Sequence, residues 1–351
     1  MCVCMNYPNF NLRGVPYKVP DKRVPNNMAA LNKACGAVLI LALLIVALVA
    51  GLGIKFAGDY QLGLARAEGR WHGAQARAYG YSAEGFVITN LSKDSTDYDS
   101  LDELWAEPIP MELEGGGLLI SLTDANSQFN LNNLVDPLVP GKPSGDPTHY
   151  SASQRMFIRL LQTFPELVQD QSKAVEILES IVDWTDSDNT PADNGAEDSY
   201  YLSLADPYQP ANVPFRSVEE LRMVRGITPQ LMQALRPYIT VFPKKQLLNI
   251  NTMQPILYRC INVSTDLTPL PEAQAAALMP KDKSYKQKGD FDSAVSRVFG
   301  SGVVADADFD IKTNLFWLTT RVEIGDQRRT ARSLLERGQP LFTVARREEV
   351  Y

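Results

Sequence analysis

The sequence predicts a mixed α+β fold in which one long N-terminal helix is followed by β-strands and by a separate helical region. Apolar residues recur at helical spacing through residues 37–90. Helical patterns return at 152–164 and at 172–184. Near the C terminus, residues 309–324 and 328–349 contain apolar strand residues with charged outer faces, which predicts a closing antiparallel hairpin.

Charge is distributed unevenly along the 351 residues, whose net charge is −7. Residues 1–36 contain five basic residues and one acidic residue, so they carry +4 and the rest of the chain carries −11. An acidic body argues against binding to nucleic acid and mildly favours cations. Three of the four cysteines precede the long apolar run, so Cys260 is alone in the body and no disulfide can form there.

The segment from Ala37 to Ile54 has no charged residue and is rich in Leu, Ile, Val and Ala. As a helix it would span roughly 27 Å, close to the thickness of a bilayer core. A buried core helix and a cleaved secretory signal are the alternatives, but no convincing A-x-A site follows the run. We therefore predict a membrane span that leaves the basic residues 1–36 in the cytoplasm and the acidic body outside.

The helical rhythm continues beyond the apolar run, although several glycines interrupt it. Apolar residues at alternating spacings of four and three form one stripe, which we predict faces the core. The stripe comprises Tyr60, Leu64, Ala67, Trp71, Ala74, Ala78 and Tyr81.

Glycine and proline mark the boundaries of the next elements. Residues 111–124 (MELEGGGLLISLTD) are strand residues around a glycine run, which predicts a bulge or tight bend. Residues 137–150 contain four prolines and two glycines and are predicted to be a linker.

The segment ELRMVRGITPQLMQAL resembles a helix-hairpin-helix. Ser217 and Glu220 predict a capping box, Gly226 a break, and Thr228 with Pro229 the start of the next helix. In nucleic-acid enzymes such hairpins bind phosphate, and basic residues that could assist are Arg222, Arg225 and Arg236. Because the neighbouring loop is strongly acidic, we predict a role in protein packing.

The junction before the apolar run resembles a type IV pilin-like signal, in which a short basic leader ends in glycine and a hydrophobic helix follows. The resemblance implies that a prepilin peptidase cuts after Gly36 and that Ala37 becomes a methylated N terminus. A start at Met28 would give a leader closer to the usual length of that family, so both Met1 and Met28 stay open as start sites.

One departure and three stretches of sequence narrow the resemblance to the K-type minor pseudopilins of the type II secretion system. Most pilin-like subunits carry glutamate at the fifth mature position, where this chain has Leu41. A subunit without that glutamate needs no neighbouring subunit above it, as is the case at a filament tip. Residues 105–134, 181–243 and 248–252 (LNINT) are similar to stretches typical of the K-type family.

The resemblance implies a pilin-like fold, with a long N-terminal helix packed on an antiparallel sheet and a large all-α insertion. It divides the chain into a leader at 1–36, a transmembrane segment at 37–54, and a pilin domain at 55–144 and 244–351 that is split by a helical insertion at 145–243. It further implies a single pass through the bacterial inner membrane, a periplasmic body, and a tip complex with the I-type and J-type minor pseudopilins. Secreted cargo is a further candidate partner.

The segment 183–198 (DWTDSDNTPADNGAED) holds six acidic residues and no basic one. Such a density of charge in an ordered loop favours a bound cation, and calcium accepts oxygen ligands in flexible geometry. The alternative is a solvated acidic turn, but the resemblance implies structural calcium in the helical insertion. The predicted side-chain ligands are Asp186, Asp188, Glu197 and Asp198, followed by Asp193 and Asn194. Asp183 is interpreted as a cap at the end of the preceding helix.

Enzymatic function is not expected from the sequence. The two histidines stand apart, and no G-x-S-x-G, H-E-x-x-H or P-loop motif occurs. The remaining alternative to a pseudopilin is a membrane-anchored periplasmic adaptor or sensor, which would keep the residues before Gly36.

Overall fold

The computed structural model describes residues 28–281, 284–306, 308–338 and 342–350, with side chains described from residue 38 to residue 348. The chain divides into two compact units, residues 1–68 and 69–351. One helix, α1 (Met28–Leu91), contributes to both units, so the predicted long helix is confirmed.

The first unit presents apolar side chains without protein cover. Every large apolar side chain from Val38 to Phe56 is more than half exposed. The described part of the chain contains one helix long and apolar enough to cross a membrane, within Val38–Leu91.

The second unit combines a five-stranded sheet with a helical region. In chain order the strands are β1 (Ile109–Leu113), β2 (Gly116–Asp124), β3 (Phe129–Asn130), β4 (Ile239–Thr240), β5 (Leu248–Asn249), β6 (Phe309–Asp310), β7 (Leu315–Ile324), β8 (Gln327–Glu336) and β9 (Thr343–Val350). The main sheet is antiparallel in the order β1-β2-β7-β8-β9, and short parallel pairs join β3 to β4 and β5 to β6. The predicted β7–β8 hairpin is confirmed, and the last residues add β9 as a further strand.

The C-terminal part of α1 packs on this sheet through its small residues. Ala76, Ala83 and Val87 are buried against strand residues such as Ile120 and Phe316. Small side chains allow a helix to approach a sheet closely, because no large side chain separates the two backbones.

The prediction that the aromatic stripe of α1 faces the core is wrong. Trp71 is 66% exposed and Tyr81 is 57% exposed. The buried face is the neighbouring one, where a Cβ at Gly73 would already stand 3.3 Å from Arg329 Nη2. Gly73, Ala76 and Ala83 therefore lie on the contact face of the helix, and Trp71 and Tyr81 lie on the outside.

The glycine run forms the turn between β1 and β2, as the predicted tight bend requires. Gly115 adopts φ +79°, a conformation that favours glycine. A Cβ at Gly116 would lie 1.7 Å from the backbone oxygen of Glu323 on β7, whereas one at Gly117 would lie 3.8 Å from its nearest neighbour, the Met111 oxygen.

We expect Gly116→Ala to destabilise the fold by about 3 kcal/mol, because the clash is with backbone that cannot rotate away. Urea unfolding of the full-length chain measures this loss. Gly117→Ala is the matched control on the same strand and should cost less than about 1 kcal/mol. Equal effects of the two substitutions would contradict the close β2–β7 approach.

The helical region has one apolar core that extends from Phe129 to Ile311. Its helices are α2 (Ala152–Gln162), α3 (Gln171–Thr185), α4 (Asp198–Tyr201), α5 (Pro229–Leu235), α6 (Pro255–Tyr258), α7 (Glu272–Ala277) and α8 (Lys288–Phe299). The two predicted helices at 152–164 and 172–184 are confirmed as α2 and α3. The core also takes in residues after 243, which the sequence analysis placed with the sheet.

The predicted caps around the hairpin are confirmed in part. Thr228 accepts a hydrogen bond from the Leu231 N–H at the start of α5, and Gly226 has φ +85°. Ser217 caps a 3₁₀ helix at Val218–Met223, but the predicted capping box is wrong. Glu220 accepts from the Arg216 N–H instead, because the tighter 3₁₀ turn changes which amide it faces.

A buried polar cluster joins the end of β2 to the helical region. The Asp124 carboxylate accepts hydrogen bonds from the hydroxyls of Thr252 and Thr313 and from the Asn249 amide. Burial raises the pKa of Asp124 to about 6, although these donors oppose the shift. The LNINT stretch thus supplies two donors that fix the sheet to the helical region.

Candidate metal centre

Three acidic side chains converge where α3 ends and α4 begins. Asp183 lies in the last turn of α3, Asp186 is the residue that ends this helix, and Glu197 immediately precedes α4. One carboxylate oxygen from each lies within 4.8 Å of the other two. The three side chains are adjacent because Asp183 and Asp186 share a helix face and the loop brings Glu197 back to it.

Two of the three carboxylates in this cluster have buried oxygens without the donors that such oxygens normally have. Asp186 Oδ1 and both Glu197 oxygens are buried and accept no hydrogen bond within the described part of the chain. Asp183 accepts from the Ala192 N–H, 3.2 Å from each of its oxygens. Arg225 contacts the loop from outside it, but its guanidinium donates to the Gly195 carbonyl and pairs with Glu176.

Burial and mutual repulsion both disfavour three negative charges in this position. Burial, followed by neighbouring charges, raises the pKa of Asp183 to about 7 and that of Glu197 to about 7. The pKa of Asp186 is raised to about 6 by burial and by the charge of Asp188. A cation would reverse this penalty, because it stabilises the ionised form of each group.

The loop is held against α3 by contacts outside the cluster. Gly195 packs so closely on Asp183 that a Cβ there would lie 1.9 Å from Oδ2. Glu179, one helical turn before Asp183, accepts from the Asn194 N–H and the Tyr150 hydroxyl, both at 2.8 Å. The segment predicted as a linker, 137–150, therefore supports the acidic loop from its other side.

The structure brings together two of the residues predicted as ligands. Asp186 and Glu197 lie in the cluster, and Asp183 joins them, so the interpretation of Asp183 as a helix cap is wrong. A carboxylate has no donor for the free carbonyls at a helix C terminus, and Asp186 occupies the cap position instead. The sequence signal that could have identified Asp183 was its spacing of three residues from Asp186.

The other predicted ligands lie around this cluster and outside it. Asp188 Oδ1 accepts from the Thr190 N–H at 2.7 Å, and Asp198 accepts from the side-chain amides of Asn189 and Gln209. Asp193 is exposed, and the Asn194 amide donates to the Ser144 hydroxyl. Their assignment as ligands stays a prediction.

The remaining sequence-predicted sites lie on α1 and in the hairpin. Leu41 is exposed on α1, whereas the side chains of Gly36 and Ala37, and residues 1–27, lie outside the described part of the chain. In the hairpin, Arg222 and Arg236 both pair with Glu219.

Comparison with known proteins identifies a single family. The family model for type II secretion system (T2SS), protein K matches residues 127–244. The type II secretion system protein K of Aeromonas hydrophila is 31% identical over 319 residues, which cover 89% of this chain and 96% of that protein. The protein of the same name from Pseudomonas aeruginosa is 29% identical over 87% of this chain and 89% of its own length.

A solved structure has the same fold. It is the GspK-GspI-GspJ complex from enterotoxigenic Escherichia coli, one chain of which matches with a TM-score of 0.61 and 24% identity. The match covers 82% of this chain and 99% of that chain.

Proposed function

The chain belongs to the type II secretion system protein K family and is a minor pseudopilin of that system, and from this premise we propose that it occupies the tip of the pseudopilus, where it starts and caps the filament. The observation that carries the proposal is the anatomy of α1. In the first unit, the large apolar side chains of α1 from Val38 to Phe56 are exposed and require lipid or neighbouring helices as cover.

The tip position is supported by Leu41. An apolar residue here removes the carboxylate that would need a positively charged partner inside the membrane, where an unpaired charge is costly. A subunit of this kind has no polar link to a neighbour above it, so it is suited to end a filament. The role is structural and not enzymatic.

We assign the anchor to the inner membrane and residues 69–351 to the periplasm, after removal of the leader by the prepilin peptidase. Secreted cargo would meet the protein on that side. This orientation agrees with the positive charge of residues 1–36 and the negative charge of the body.

The proposed partners are the I-type and J-type minor pseudopilins, because a structural neighbour of this chain is a chain of the GspK-GspI-GspJ complex. The outer face of α1 is the surface we assign to them. Trp71 and Tyr81 lie there, and large exposed aromatic side chains are typical anchors of protein interfaces.

We expect the full-length chain to co-purify with both partners when the three are co-expressed and extracted in a non-ionic detergent. Trp71→Ser combined with Tyr81→Ser should lower the retained partner about tenfold, since aromatic anchors contribute a large part of interface affinity. Leu202→Ser, at a half-exposed leucine of the helical region, is the control and should retain both partners. Failure of the unchanged chain to retain them would contradict the tip complex.

We further propose that a calcium ion stabilises the helical region at the candidate metal centre. Asp183, Asp186 and Glu197 would hold it, because their carboxylates cluster and buried oxygens of Asp186 and Glu197 accept no hydrogen bond from the described residues. Carboxylate oxygen is the ligand type that calcium prefers. The ion would supply positive charge that ties the end of α3 to the start of α4.

A further inference from the structure

A groove of about 360 Å³ lies between α1 and the strands β7, β8 and β9 of the main sheet. Its lining includes small residues, Ala76 and Gly80 on α1 and Ala331 on β8, which leave the space open. A Cβ at Gly80 would stand 3.7 Å from Thr320 Oγ1, so α1 lies close to the floor of the groove. The groove therefore has room for a side chain that comes from outside.

Arginine is the most frequent residue in the lining of this groove. Five arginines and two glutamates line it, and these residues are Arg77, Arg328, Arg329, Arg332, Arg347, Glu84 and Glu348. Three of the arginines have partners, which are Glu323 for Arg328 at 3.1 Å, the Trp317 ring for Arg332 at 4.3 Å and Glu84 for Arg347 at 2.8 Å.

The other two arginines of the groove, Arg77 and Arg329, form no ion pair with the residues that the structure describes. Arg329 Nε is buried and donates no hydrogen bond there. The Arg329 guanidinium packs on α1 at Gly73, one helical turn before Arg77, so both arginines belong to the same end of the groove. A buried donor without an acceptor is costly, and an incoming acceptor would remove that cost.

The other end of the groove shows how a carboxylate is held in this environment. The buried Glu84 carboxylate accepts a hydrogen bond from the Ser333 hydroxyl and pairs with Arg347. The Arg347 guanidinium also lies over the Tyr81 ring, 5.2 Å from its centroid. The end at Arg77 and Arg329 offers the same kind of donor without a paired carboxylate among the described residues.

We propose that this groove binds the carboxylate of a glutamate or aspartate side chain from another protein chain, which pairs with Arg77 and Arg329. Guanidinium groups match carboxylates in geometry and charge. The glutamates in the lining, Glu84 and Glu348, disfavour a polyanion such as nucleic acid, which would bring several negative charges close to them. The proposal rests on the residues of the groove and does not depend on the tip assignment.

The test uses the full-length chain in non-ionic detergent and a fluorescent peptide, acetyl-Ser-Glu-Tyr-Glu-Ser-amide, followed by anisotropy. We expect saturable binding of this peptide and not of the two peptides that carry glutamine or lysine in place of glutamate. The chain after residue 36 carries −11, so it repels an acidic peptide except at a local basic site.

Arg77→Gln with Arg329→Gln should weaken binding about tenfold, or about 1.4 kcal/mol. Neither substitution removes an ion pair between described residues, so the double variant should fold. Arg216→Gln with Arg321→Gln is the matched control, because it removes the same charge from two exposed arginines outside the groove. The control variant should bind like the unchanged chain.

Two further measurements locate the bound peptide. A version with benzoylphenylalanine in place of tyrosine should crosslink within residues 73–84 or 328–333. Glu349→Gln should bind at least as well as the unchanged chain, because it removes a negative charge from β9, where residue 349 lies opposite Ala331.

Several outcomes would overturn the proposal. They are equal binding of the glutamine peptide, an equal effect of the control pair, crosslinks confined to other segments, or weaker binding by Glu349→Gln. Displacement of the peptide by inorganic phosphate or by phosphatidylglycerol vesicles, but not by excess unlabelled peptide, would assign the groove to a phosphate ligand and overturn the proposal as well.

Discussion

Chelation of calcium should lower the unfolding midpoint of the full-length chain by several degrees, and added calcium should restore it. An ion that binds only the folded state stabilises it by about 2.7 kcal/mol at a hundredfold excess over Kd. In a domain of this size each kcal/mol corresponds to roughly 2–4 °C. Magnesium should restore the midpoint poorly, because its octahedral demand fits a broad carboxylate cluster less well. Differential scanning fluorimetry with and without chelator measures the effect.

Replacing the clustered carboxylates by amides of the same size distinguishes a metal centre from a solvated acidic turn. Asp186→Asn with Glu197→Gln removes two of the three clustered carboxylates while keeping their size, so the calcium response should disappear. The chelated variant should be at least as stable as the chelated parent, because the repulsion between buried carboxylates is relieved.

Two controls distinguish the cluster from the remaining acidic residues of the loop. Asp193→Asn changes an exposed residue outside the cluster and should keep the full calcium response. Asp188→Asn with Asp198→Asn tests whether these two residues also serve as ligands, as the sequence analysis predicted. A melting curve of the parent that is unchanged by chelator would leave the loop a solvated acidic turn.

The sequence predicted the long helix well but not its buried face. An uncharged run from Ala37 to Ile54 allows little but a helix, whereas the choice of face depends on what the helix packs against. Hydrophobicity alone predicted that Trp71 and Tyr81 face the sheet. The helix lies close to the sheet, however, and the residues at the contact are the small ones, Gly73, Ala76 and Ala83.

The sequence likewise identified the acidic loop but not all three carboxylates of the candidate metal centre. The charge density of 183–198 predicted a cation site, but which carboxylates meet depends on Gly195 and Glu179 folding the loop back onto α3. The short helices α6 and α7 were not predicted, because each has too few residues to show a helical period. Helix α6 begins with a proline and α7 follows one.

Gly36→Val should abolish cleavage of the leader, because only the smallest residue is expected to suit the prepilin peptidase at this position. Intact mass spectrometry should find the unchanged chain beginning at Ala37 with a methylated amine, and the variant retaining its leader. The length of the retained leader also decides between Met1 and Met28 as the start. Gly51→Val is the control on the same helix, since a Cβ there has no neighbour within 4 Å and processing should be normal. Normal processing of Gly36→Val would contradict the requirement for glycine before the cut, and an unchanged chain that keeps its leader would contradict cleavage after Gly36.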